Sequence, residues 1–284
     1  MTEHVTAAEP GRSPRPALVA ALTIATFLLI DHFQLDLFRA VAGEWSGYRR
    51  LAALALLGYG ANFLLPLGLG AALFGRSQAL ASLGLDRPIL TALAVGLAAT
   101  LILPLGYAAT APFSPPDQPL QTALRSAILP GIAEEVLFRA FLFGFLFRFA
   151  GWGFLPAALV GAALFGAGHL YQAKGVADSA AVFAITALGA IWFAWLYVEW
   201  GFNIWVPAAF HVLMNFYWDW FAISDTAIGS ITANALRLGV ILLSVAVTII
   251  AARRRGGRLV RGQAWLRGGA EPPASITDNG GSLR

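Results

Sequence analysis

Cysteine is absent from this chain of 284 residues. Its absence excludes disulfide bonds, thiolate metal sites and a cysteine nucleophile. Charged residues are also scarce, since they make up 12% of the chain while hydrophobic residues make up 58%. Soluble domains are typically about 25% charged and about 45–50% apolar. The composition therefore predicts a polytopic membrane protein that is embedded in a lipid bilayer.

Lysine is nearly absent too: Lys174 is the single lysine among 19 basic residues. The remaining basic residues are arginine, which favours a GC-rich bacterial source. Arginines cluster directly after the last hydrophobic segment, at residues 253–261. Because basic residues accumulate on the cytoplasmic side of membrane proteins, this cluster predicts a bacterial inner-membrane protein with both termini in the cytoplasm. The cluster is interpreted as a topology signal, and no nucleic acid is expected as a partner.

Long apolar runs divide the chain into segments that are suited to cross a membrane, each near the ~20 residues that a spanning helix needs. The fold expected is therefore all-α, a bundle of about eight transmembrane helices. The segments are Ala17–Leu37, Leu51–Phe74, Pro88–Ala111, Leu120–Phe149, Phe154–His169, Val176–Trp200, Trp205–Phe221 and Ile231–Ala252.

Polar composition marks the two ends of the sequence as separate from this bundle. Residues 1–16 predict a disordered N-terminal tail, and residues 253–284 predict a basic, disordered cytoplasmic tail. Residues 17–252 form the expected transmembrane domain.

Charged residues inside the fourth apolar segment are the most informative feature of the sequence. Glu134, Glu135 and Arg139 lie where each charge costs roughly 2.5–3.5 kcal/mol at the centre of a bilayer. Glu135 and Arg139 stand at i and i+4 and predict an internal ion pair. Glu134 points to an adjacent face, because successive helical residues are about 100° apart. The pattern therefore predicts a structural pair and a separate, reactive Glu134.

Two later segments add histidines: His169 follows a run of small residues, and His211 shares a helix face with Asn215. A glutamate and a histidine that share a water molecule can deprotonate it for attack on a carbonyl carbon. A second histidine and an asparagine amide can donate hydrogen bonds to the resulting oxyanion. Together these groups predict peptide hydrolysis in an intramembrane polar cavity, with no obligatory cofactor.

Three alternatives remain open at this point. Glu134, His169 and His211 are also a possible zinc ligand set, although the sequence has no H-E-x-x-H helix. A proton-coupled transporter uses similar buried acids and histidines, but no internal repeat is visible. A non-catalytic immunity or scaffold protein is the third alternative, and it does not need a water-activating pair.

The order and spacing of these residues resemble the CAAX protease and bacteriocin-processing family, also called CPBP or Abi, which includes the type II CAAX prenyl endopeptidase. The resemblance covers about residues 120–221 and implies that they form the catalytic core. The motifs that carry it are Glu134-Glu135-x-x-x-Arg139, Phe165-x-x-x-His169 and His211-x-x-x-Asn215.

This resemblance implies a bundle of about eight helices and a glutamic intramembrane endopeptidase. Glu134 and His169 would activate water, His211 and Asn215 would hold the oxyanion, and Glu135 with Arg139 would support the site. The expected partner is a membrane-anchored or lipidated protein or peptide substrate. The sequence does not specify that substrate or its cleavage position.

Overall fold

The structure of the protein is a computed structural model that describes residues 14–268. The N-terminal tail expected over residues 1–16 and the last part of the C-terminal tail lie mostly outside these residues. The described part contains nine helices and no strand: α1 Pro16–Ala42, α2 Gly47–Phe74, α3 Ala79–Leu83, α4 Ile89–Thr110, α5 residues 119–148, α6 Phe154–Gly168, α7 Val176–Glu199, α8 Trp205–Trp220 and α9 Ile231–Arg254.

The all-α membrane fold is confirmed, and each of the eight predicted segments is helical. Among the described residues, six helices are long and apolar enough to cross a membrane, namely α1, α2, α4, α6 with the turn that follows it, α7 and α9. The expected number of about eight spanning helices is therefore not confirmed. Charges interrupt α5, and α8 has only 16 residues. These two helices carry Glu134 and His211.

Helix α5 lies at the centre of the bundle, and its neighbours shield its charges from lipid. From Glu135 to Phe147, every residue except Phe138 is buried. By contrast, only six of the 27 residues of α1 are buried, since that helix faces the surrounding lipid. The central helix is wound as a π-helix over Ala123–Ile128 and again over Glu135–Phe143. π-Helical segments are rare and occur frequently at functional sites.

One end of the bundle, here called the tail end, is closed by hydrogen bonds between loops. The Arg148 guanidinium donates to the carbonyl of Ser82 at 2.7 Å. The Asn203 amide and the Trp205 indole donate to the carbonyls of Pro88 and Leu85, both at 3.1 Å. These bonds tie α3 and the loop after it to the end of α5 and to the connection between α7 and α8.

The C-terminal segment, residues 255–268, adds a second layer to the tail end. Both carboxylate oxygens of Glu199 accept backbone N–H groups, from Leu259 and Val260, at 3.1 Å. The Arg255 guanidinium donates to the Glu199 carbonyl at 2.8 Å. Trp265 packs on Phe154 with ring centroids 5.2 Å apart. The acid Glu199 therefore fixes the segment through its backbone, a contact that composition does not reveal.

The opposite end, here called the open end, carries the loops after α4, α6 and α8. These loops are joined by few bonds. The backbone N–H of Ser114 donates to the Trp220 carbonyl at 2.9 Å, and that of Ala227 donates to the Gln172 side chain at 2.8 Å. Because α6 and α8 both run toward this end, His169 and Asn215 are carried toward it.

Candidate active site

Glu135 is the centre of the polar cluster. Its carboxylate is fully buried, and one oxygen, Oε1, lies 3.0 Å from Arg139 Nη1 and 2.8 Å from His211 Nδ1. The ion pair with Arg139 is the one that the i, i+4 spacing predicts. The contact with His211 joins α5 to α8 and was not predicted. A single carboxylate oxygen therefore links the first and third motifs.

Because Glu135 and Arg139 are both buried, the stability of each charge depends on the presence of the other. Arg139 is 2% exposed, and its guanidinium lies 4.2 Å from the centroid of the Phe165 ring. Contact with an aromatic face stabilises a desolvated cation. Among the described residues, Glu135 Oε2 has no hydrogen-bond partner. Since an uncompensated buried charge is far more costly than a buried pair, each member of this pair holds the other in place.

The contact with Glu135 fixes the tautomer of His211. A carboxylate oxygen accepts hydrogen bonds, so Nδ1 of His211 carries the proton and donates it. The other ring nitrogen, Nε2, is left for a substrate. His211 is mostly buried, at 11% side-chain exposure, and its ring lies 5.8 Å from that of Phe193. The imidazole is thus oriented by a carboxylate on one side and an aromatic ring on another.

His169 follows the last residue of α6 and is oriented by its own helix. Its Nδ1 lies 2.7 Å from the carbonyl oxygen of Phe165, four residues earlier. Because a carbonyl can only accept, Nδ1 is the protonated nitrogen and Nε2 carries a free electron pair. The Phe165 ring lies 4.3 Å from the His169 ring and 6.4 Å from the His211 ring. Phe165 therefore separates the two histidines and contacts Arg139 as well.

Glu134 is half-buried, in contrast to Glu135 beside it. It lies within electrostatic range of Arg139 and of Tyr59 in α2, and Tyr59 in turn lies within range of Tyr171. The Tyr171 ring is 6.3 Å from that of His169. Tyr59 therefore lies near both Glu134 and Tyr171. The two adjacent glutamates face different environments, as helix geometry predicts.

Helix α2 fixes the backbone beside Glu134 through a buried amide. Asn62 is 1% exposed, and its Nδ2 donates to the carbonyl of Ala133 at 3.2 Å. A π-helical segment ends at Gly58, just before this turn. The sequence analysis missed both Tyr59 and Asn62. An isolated amide in an otherwise apolar segment is the signal that identifies Asn62, since unpaired polar groups are costly in a membrane.

Asn215 lies one turn beyond His211 and is bonded to α5. Its Nδ2 donates to the carbonyl of Ser126 at 3.0 Å, which leaves its second amide hydrogen free for a substrate. The Ser126 hydroxyl donates to the carboxylate of Asp219, one further turn along α8. The sequence analysis did not single out Asp219, although its i+8 spacing from His211 places it on the same helix face.

Close packing of α8 on α5 depends on Gly131. A Cβ atom at this position would lie 2.6 Å from Val212 Cγ2 and 3.0 Å from the Val212 backbone nitrogen. Gly131→Ala is therefore expected to displace α8 next to His211, lower stability by about 1–3 kcal/mol and reduce any activity of the site. Thermal unfolding in detergent measures the first effect.

Gly189→Ala is the matched control for this change. Gly189 lies inside α7, and nothing stands within 4 Å of an added Cβ. Alanine there is expected to be neutral or stabilising by up to about 1 kcal/mol, because it favours the helix. Equal destabilisation by both variants would show that contact with Val212 is not the cause.

The metal alternative needs three ligands around one point. Within residues 14–268, no three His, Cys, Asp or Glu side chains are grouped closely enough to hold a metal ion. Glu135, rather than Glu134, is the carboxylate that contacts His211. The choice between glutamic and metal-dependent hydrolysis is therefore left to experiment.

In a comparison with protein-family models, residues 116–217 match the model of the type II CAAX prenyl endopeptidase Rce1-like proteins. The matched stretch, here called the Rce1-like domain for this similarity, contains α5, α6, α7 and most of α8. It includes every residue of the three sequence motifs. No curated protein and no solved structure matches the chain.

Two of the residues described above lie outside the part of the chain that matches the Rce1-like model. Tyr59 and Asn62 belong to α2, which lies outside residues 116–217. The Rce1-like match thus covers the three motifs, whereas the contacts that α2 makes beside Glu134 are visible only in the structure. The Rce1-like family supports a CAAX-type protease embedded in the membrane.

Proposed function

We propose that the protein is an intramembrane endopeptidase that hydrolyses a peptide bond of a membrane-anchored or lipidated protein. The observation that carries this proposal is the buried junction of Glu135 with Arg139 and His211 inside the Rce1-like domain. Such a junction orients an imidazole without metal ligands. Beside it, Glu134 is half-exposed, as a group that exchanges a proton with water must be.

Glu134 and His169 are proposed to activate the water. The free electron pair on His169 Nε2 and the Glu134 carboxylate are the two acceptors available for its proton. As the water oxygen bonds to the scissile carbonyl carbon, its proton moves to one of them and the carbonyl oxygen becomes an oxyanion. When the C–N bond breaks, the same proton passes to the departing amine nitrogen. The reaction consumes one water and needs no covalent intermediate.

His211 and Asn215 are proposed to stabilise the oxyanion. Because Nδ1 of His211 donates to Glu135, donation from Nε2 requires the doubly protonated ring. In that form the charge of the ring lies beside the Glu135 carboxylate, whose Oε1 is 2.8 Å from Nδ1. The free amide hydrogen of Asn215 supplies the second donor.

The membrane setting follows from the arginine distribution. We propose a bacterial inner-membrane location, with the termini and the tail end in the cytoplasm. The substrate is proposed to be anchored in the same bilayer, so that its cleavage site is presented to α5 and α8 without leaving the membrane surface.

The test is cleavage of membrane-anchored candidate proteins by the purified protein in lipid vesicles, with and without a strong chelator. We expect cleavage that the chelator does not affect. Chelator-sensitive cleavage that zinc restores would instead assign Glu134, His169 and His211 to a metal site. The candidates should include proteins with hydrophobic C-terminal segments, lipidated and unlipidated, because the Rce1-like domain does not distinguish between them.

A further inference from the structure

A line of polar side chains runs along one face of α8 from the buried cluster to the open end. His211, Asn215 and Asp219 are spaced at i, i+4 and i+8, so they stack on one face over about 12 Å of helix. Ser126 on α5 pairs with this line twice, through its carbonyl to Asn215 and through its hydroxyl to Asp219. Polar groups thus recur at each turn of α8 along its contact with α5.

The line ends in a cavity of about 270 Å³ at the open end. A water molecule occupies about 30 Å³ of liquid, so this cavity holds several. Its lining is mainly polar and includes both signs of charge. The polar and aromatic lining residues are Thr122, Arg125, Trp218, Asp219, Ser224 and Asp225.

On the other side of the cluster, the residues that the structure describes form a much smaller and apolar space. A cavity beside Arg139 has a volume of only about 10 Å³, and apart from Arg139 its lining is apolar. Beyond it, the central helix is buried through Phe147, and the tail end is covered by residues 255–268. Water therefore has a polar path from the open end and an apolar, closed one from the tail end.

We propose that this cavity and the polar line below it are the route by which water reaches the candidate active site, and that the site therefore opens on the face opposite the C-terminal segment. The inference rests on the proposed function, because a hydrolase consumes water at every turnover. With the tail end in the cytoplasm, the scissile bond of the substrate reaches the candidate active site from the extracytoplasmic side of the membrane. The substrate class is then an anchored protein whose cleavage site lies at the outer membrane surface.

The absence of cysteine makes a direct test possible. Single cysteines at Thr122 in the cavity wall and Ser126 below it are exposed to a membrane-impermeant maleimide in intact spheroplasts. Ala127→Cys is the matched control, since Ala127 is adjacent to Ser126 in α5 but fully buried. Ser77→Cys, in an exposed turn of the tail end, reports the opposite face.

We expect Thr122→Cys and Ser126→Cys to be labelled without permeabilisation, and Ser126→Cys to react at least about tenfold faster than Ala127→Cys, because maleimide needs a hydrated thiolate. Ser77→Cys is expected to react only after permeabilisation. The proposal is overturned if Ser126→Cys reacts no faster than Ala127→Cys, or if it reacts from the same side as Ser77→Cys. Labelling requires no substrate, so these outcomes are independent of whether cleavage is observed.

Discussion

Glu134→Gln is expected to reduce turnover by about 10²–10⁴-fold, the usual contribution of a positioned general base. The amide keeps the size of the side chain and cannot accept a proton from water. Glu134 is half-buried and outside the Glu135 ion pair, so the variant should fold as the wild type does. The measurement is the initial rate of cleavage in lipid vesicles, with unfolding temperature recorded for the same preparation.

Glu44→Gln provides the matched control, because it makes the same chemical change in the exposed loop between α1 and α2. It should leave both rate and unfolding temperature unchanged. Cleavage by Glu134→Gln at the wild-type rate would remove Glu134 from the mechanism. If Glu134→Gln loses cleavage but still binds substrate, Glu134 has a catalytic role. A non-catalytic scaffold would show no cleavage in either the wild type or the variant.

Glu135→Gln should be the more damaging change to the fold. It leaves the Arg139 guanidinium buried without its counter-charge, a loss that costs about 3–5 kcal/mol in comparable sites. It also removes the carboxylate that accepts the hydrogen bond from His211 Nδ1 and orients the ring. We therefore expect lower stability and lost activity together, whereas Glu134→Gln should lose activity alone.

A double variant separates the effect of the buried charge on stability from the effect of side-chain packing. Arg139→Met removes the other member of the pair, and methionine fills much of the space that the arginine stem occupies. Glu135→Gln combined with Arg139→Met should recover much of the stability that either single change loses, because no uncompensated charge remains. Activity should not return with it, since His211 still lacks its carboxylate. Additive losses of stability would show that the two side chains act independently.

Helix positions could be predicted from hydrophobicity, because a long apolar segment has few alternatives in a membrane. The predicted Ile231–Ala252 and the observed Ile231–Arg254 differ by two residues. The depth of each helix in the bundle could not be predicted this way. Helix α5 is central because its charges need shielding from lipid, and α8 is too short to span by length alone.

Within the candidate site, contacts local to one helix were predictable and contacts between helices were not. The Glu135–Arg139 pair follows from spacing along α5. The bond from His211 to Glu135 depends on how closely α8 approaches α5 at Gly131, which is a property of packing. The positions of Tyr59 and Asn62 beside the site could not be predicted for the same reason, since both residues belong to a helix far earlier in the chain.

The contact between Glu199 and residues 259–260 also has a consequence for biosynthesis. The acid ends α7, whereas its two backbone donors follow α9, so the bond cannot form until the last helix has been made and inserted. Until then the Glu199 carboxylate lacks both donors, and the tail end of the nascent bundle stays uncovered. Formation of the layer that covers the tail end is therefore a late step of assembly. A chain truncated after α9 would lack the two backbone donors of residues 259 and 260, and its tail end would stay exposed.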